Sequence, residues 1–73
     1  MALYDEVMVV AKPYLGIATD QFLKRQLKHI NVEPAALQKG QVGDLAKWIE
    51  VSSKMLMGEA KAKELKEKVL KLS

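Results

Sequence analysis

The chain has 73 residues, 49% of them hydrophobic, no cysteine, and twelve Lys+Arg against nine Asp+Glu for a formal net charge of +3. That length makes one domain, and a chain so short buries only about 60% of the surface its unfolded form exposes, so its stability must come from packing or self-association. The composition excludes intrinsic disorder, a disulfide scaffold and a thiolate metal site. The excess charge is mild and is carried by lysine everywhere except Arg25, which disfavours base-specific nucleic-acid readout, a task for bidentate arginine.

The opening "MALYDEVMVVAK" has acids where a secretory leader has its basic region, and its apolar run is too short for one. No segment approaches the roughly 20 apolar residues that span a bilayer. A soluble, cytoplasmic protein with no membrane partner is the expectation. Leu3, Val7, Val10 and Tyr14 recur at helical spacing, widened by Tyr4 and Ala11. Asp5 and Glu6 suit the positive end of a helix dipole. Pro13 lacks an N–H and restrains Lys12, so a first helix over about 3–12 should end or kink there.

A second helix is expected over about 17–30, with Thr19 as a plausible N-cap, or Gly16 starting it earlier, and Asn31 as its stop. Phe22, Leu23, Gln26, Leu27 and Ile30 share one face, and Lys24, Arg25 and Lys28 lie roughly opposite. His29 falls at the border. Pro34 after Glu33 suggests a short helix over about 34–38. Gly40 and Gly43 bracket a loop before a fourth helix over about 42–57, closed by Gly58. A fifth, over about 59–72, has a narrow stripe of Ala62, Leu65, Val69 and Leu72. Its Glu59–Lys63, Glu64–Lys68 and Glu67–Lys71 pairs have the favourable i,i+4 order.

The fold class is therefore all-α: a single domain over 1–73, a small bundle of four to five short helices. In helix order alone it resembles a SAM domain, on "DLAKWI", Gly58 and "LKEKVLKL". That resemblance implies a compact interaction fold and nothing about a site.

No enzyme is expected. A single histidine, His29, has no nucleophile or orienting group indicated by the sequence. The acids are scattered or matched with lysines, which leaves no metal cluster. "GQVGD" lacks the preceding strand, the glycine spacing and the Lys-Ser/Thr of a phosphate loop. No cofactor, metal or small-molecule substrate is expected.

Two surfaces remain. Gln21, Lys24, Arg25 and Lys28 form a basic face on the second helix. It reads first as the solvated back of an amphipathic helix, and second as a weak phosphate-binding face. The fourth helix is more informative. Its core stripe should be Val42, Leu45, Ile49, Ser52 or Ser53, and Leu56. Yet Trp48, Val51 and Met55 form a second apolar face rotated by roughly 100°. Either the first and fifth helices cover it, or it is a contact surface. Trp48 is expected to be covered, with Val51 and Met55 left accessible at the edge. Tryptophan is enriched at binding hot spots and methionine is adaptable. The expected function is a protein–protein interaction or oligomerisation module using this ridge, with Tyr4 or Leu70 as outlying contributors. The partner would be another protein or a second copy of the chain. A small nucleic-acid-binding protein is the alternative.

Overall fold

The sequence has no period-two alternation, and the computed structural model, which describes residues 2–73, is helical with no strand among them. Helix α1 spans Leu3–Leu15, α2 Thr19–His29, α3 Val42–Met57 and α4 Glu59–Leu70. The fourth and fifth helices expected from the sequence are thus α3 and α4. Single 3-10 turns lie at Gly16–Ala18, Pro34–Ala36 and Lys39–Gln41. The five-helix division does not hold: the expected helix over 34–38 is one such turn, because Leu37 is already extended at its end. Without that helix the order of a five-helix interaction fold is also missing.

Helix α1 does not stop at Pro13 but carries it inside and runs on to Leu15. The amide that Pro13 lacks would have reached the carbonyl of Val9. Both residues lie on the solvent side of the helix, where water can take that carbonyl. The stop comes at Gly16, at φ +60°. Thr19 is not an N-cap: it is the first residue of α2, and its hydroxyl donates back to the Gly16 carbonyl at 2.5 Å.

Helix α2 ends as its sequence suggests. Asn31 adopts φ 55°, in the left-handed region that asparagine tolerates. The Asn31 and Val32 amides then donate to the Lys28 and Leu27 carbonyls, at 3.2 and 3.1 Å, satisfying groups a helix end leaves open.

A single residue, Gly58, joins α3 to α4. It sits at φ 86°, ψ 162°, outside the left-handed helical conformation that a C-terminal glycine commonly takes and in a region open essentially to glycine alone. Its amide donates to Lys54 O at 3.0 Å. The two helices fold back on each other as a hairpin, and Lys66 of α4 meets Glu50 of α3 at 3.3 Å.

Val7 and Ala11 of α1, Leu23 and Leu27 of α2, Leu45 and Ile49 of α3, and Leu65 and Val69 of α4 fill the core. Each large apolar side chain fully buried there is worth about 1.5–3 kcal/mol. Phe22, which its spacing places on the apolar face of the second helix, is only half-buried. The face of α2 that turns inward is Leu23, Gln26 and Leu27, as their spacing suggests, with Thr19 in place of Phe22. Ser52 donates to Gln26 Oε1 at 2.8 Å, so that buried amide is partnered across α2 and α3. Leu56, placed on the core stripe by its spacing, is 68% exposed. It lies in the last turn of α3, beyond Ser53, the final buried residue of that helix.

Candidate interaction surface

Along α3, Val42, Leu45, Ala46, Ile49 and Ser53 form the buried arc. Trp48, Val51 and Met55 follow at spacings of three and four on a different arc. They are 37%, 51% and 94% exposed. The sequence suggests that Trp48 is covered, and most of its surface is, with 37% left exposed. Its aromatic partner is His29 of α2, stacked on the indole with ring centroids 4.2 Å apart and planes inclined by 9°. The stack fixes one indole face and leaves the rest of the ridge open. Ile30, Asp44, Lys47, Trp48 and Val51 line a shallow groove of about 290 Å³ beside it.

The ridge has basic borders. Lys47 and Lys54, seven residues and two turns apart, run along one side. On the other side His29 stacks on Trp48, and Arg25 precedes it by one turn of α2. Among the described residues no carboxylate lies within 4.0 Å of Lys47, Lys54 or Arg25. Glu50 is turned the other way, half-buried against α4 by its ion pair with Lys66. Asp44, at the first turn of α3, is the acid that reaches the groove.

Gln21, Lys24, Arg25 and Lys28 are all exposed on α2. Lys24 is not free: its ammonium lies 3.0 Å from Asp20 Oδ2. Asp20 also accepts the Tyr4 hydroxyl at 2.5 Å. That hydrogen bond, and then Lys24, hold the Asp20 carboxyl below the usual carboxylate range. Burial, and then Asp20, push the Tyr4 phenol well above its ordinary value. Tyr4 is therefore a buried link from α1 to α2 and not an outlying contact residue. Leu70 is half-buried against the core.

At the far edge Tyr14 donates to Glu64, and Lys68 lies 5.2 Å from the Tyr14 ring centre and 3.6 Å from Glu64. The Tyr14 hydroxyl, more than Lys68, holds Glu64 below its usual range. Of the three expected pairs on α4, Glu64–Lys68 forms, while Glu59–Lys63 and Glu67–Lys71 do not close to 4.0 Å.

Sequence reasoning finds Trp48, Val51 and Met55 but misses two neighbours that shape the ridge. His29 reads as a border residue, and its contact with Trp48 is tertiary, across 19 positions. Ile30 reads as core. Asp20 has a local signal, since it precedes Lys24 by four residues, the favourable order for a helical ion pair. Among the described residues no group of three His, Cys, Asp or Glu could hold a metal ion, and no helix is long and apolar enough to cross a membrane. Comparison with protein-family models, with curated proteins and with solved structures finds no match to this chain.

Proposed function

We propose that this chain is a non-enzymatic protein–protein interaction module whose contact surface is the α3 ridge of Trp48, Val51 and Met55. One observation carries the reading: three large apolar side chains stay exposed in line on one helix face. Scattered single apolar residues are ordinary on a surface, but a row of them beside a groove marks a contact site. Tryptophan and methionine are also the residue types that interface cores favour. The partner is another protein or a second copy of the chain.

The test compares the wild type with a Val51→Asp, Met55→Asp variant. Both side chains face solvent, so the variant should keep its helical circular dichroism. Light scattering across concentration reads self-association, and capture on immobilised protein reads a different partner. The wild type should dimerise or retain a discrete protein, and the variant should do neither. Indistinguishable behaviour of the two proteins would remove this function.

A second reading, weak binding to nucleic-acid backbone, draws on the exposure of Arg25 and Lys28, neither with a carboxylate within 4.0 Å among the described residues. The pairing of Lys24 with Asp20 weakens it. Its mark would be duplex binding whose salt slope shrinks by about one unit for each phosphate neighbour that Arg25→Glu or Lys28→Glu removes.

A further inference from the structure

We propose that the occupant of the α3 ridge is an acidic amphipathic helix of a partner protein. This rests on the ridge being a protein contact, and it adds the chemistry of what binds there. Charge complementarity around an apolar seam points to it. Trp48, Val51 and Met55 repeat at three and four, the spacing at which a second helix presents its own apolar stripe. Lys47 and Lys54 follow one border, and on the α2 side His29 stacks on Trp48 with Arg25 one helical turn before it on the same helix. The three cations of these borders have no carboxylate within 4.0 Å among the described residues. Of the two acids of α3 within one turn of Lys47, Glu50 is held by Lys66 against α4, and Asp44 reaches the groove without closing to 4.0 Å of Lys47.

A helix lying on the ridge would therefore set its apolar face on Trp48, Val51 and Met55 and its flanking positions beside lysine and arginine. Glu or Asp at those flanks gains attraction and steers the encounter, while Lys or Arg there meets like charge. A second copy of this chain is the poorer occupant, because it would bring the same basic borders against these ones. Asp44 alone, at one end of the groove, does not offset three cations.

The experiment uses the full chain and a display library of helical peptides of about 18 residues, five turns. Leucine is fixed at an i, i+3, i+7 register, and the flanking positions vary between Glu and Lys. Selection on the wild type should enrich Glu at the flanks. The leading peptide should shift the Trp48 emission to shorter wavelength and bind about tenfold or more tightly than its Lys counterpart at low salt, with the gap closing as salt rises. Lys47→Glu with Lys54→Glu, both on solvent-facing positions, should turn the selection toward Lys. Met55→Asp, at a fully solvent-facing position, should abolish binding without loss of fold. Enrichment without charge bias would overturn the acidic partner and leave an apolar contact surface standing. Concentration-dependent dimerisation that Met55→Asp abolishes would likewise overturn it in favour of a second copy. No enrichment at all would overturn it. Binding of a duplex oligonucleotide that survives Met55→Asp but not Arg25→Glu would overturn both it and the ridge.

Discussion

His29 of α2 and Trp48 of α3 lie face to face, ring centroids 4.2 Å apart and planes inclined by 9°. The imidazole covers one side of the indole and leaves Trp48 37% exposed. The stack is a tertiary contact between α2 and α3 at the ridge. Trp48 is the single tryptophan of the chain, so its fluorescence reports this place alone.

Replacing His29 with alanine should therefore shift the tryptophan emission to longer wavelength as the indole gains solvent. Aromatic pairs contribute about 0.5–1.5 kcal/mol beyond area burial, and a pair at the surface should fall near the lower figure. Urea denaturation followed by fluorescence reads both effects. An unchanged spectrum would mean that the two rings do not meet in solution.

The core should respond by depth and not by side-chain size. Leu27 is fully buried and Phe22 half-buried. Leu27→Ala should cost about 2–5 kcal/mol, the range for a large aliphatic in a close-packed core, and Phe22→Ala on the order of 1–2 kcal/mol. Chemical denaturation of the two variants gives the order directly. A larger loss at Phe22 would place α2 in the other orientation about its axis.

This contrast separates what is legible in the sequence from what is not. Leu45 and Ile49 are legible because their spacing matches the helix period, and Asn31 because its side chain tolerates the left-handed backbone. The exact rotation of α2 is not, because apolarity points to Phe22 while the buried face takes in Thr19 beside the expected Leu23, Gln26 and Leu27. Those polar residues can be buried only because Gly16 O and Ser52 satisfy them, and Ser52 lies 26 positions from Gln26. Pro13 breaks a local rule because its missing donor falls on the wet side of α1. At the ridge, Trp48, Val51 and Met55 are legible as a second apolar arc. The His29 stack and the basic borders are not, since they depend on how α2 docks.

Gly58 should resist substitution. Its backbone, at φ 86° and ψ 162°, is costly for any residue with a Cβ, although nothing lies within 4 Å of where that atom would go. Gly58→Ala should lower stability by about 1–3 kcal/mol through backbone strain alone. Thermal melting checks this, and a melting temperature equal to wild type would mean that the α3–α4 link adopts a different turn.

Tyr4 and Asp20 give the stability a pH signature. Asp20 is held below its ordinary value by the Tyr4 hydroxyl first and Lys24 second. Its contribution is therefore present above the ordinary aspartate range and is lost as pH falls through its folded value. Tyr4 is pushed up, by burial first, from an ordinary value of 10.0. Its contribution is present below that value and is lost as pH rises beyond it. Melting temperatures of wild type and Tyr4→Phe should thus differ most near neutral pH and converge at both ends. A gap independent of pH would show that the hydroxyl does not engage the carboxylate.

The central claim is that another protein chain covers the α3 ridge. A photoreactive benzophenone side chain placed at Met55 in the living source cell tests it most directly, with the same group at Glu67, an exposed polar position on α4, as the reference. The predicted result is discrete covalent protein adducts from Met55, weakened by Trp48→Ala and missing from Glu67. No adduct from Met55, or the same adducts from both positions, would contradict it.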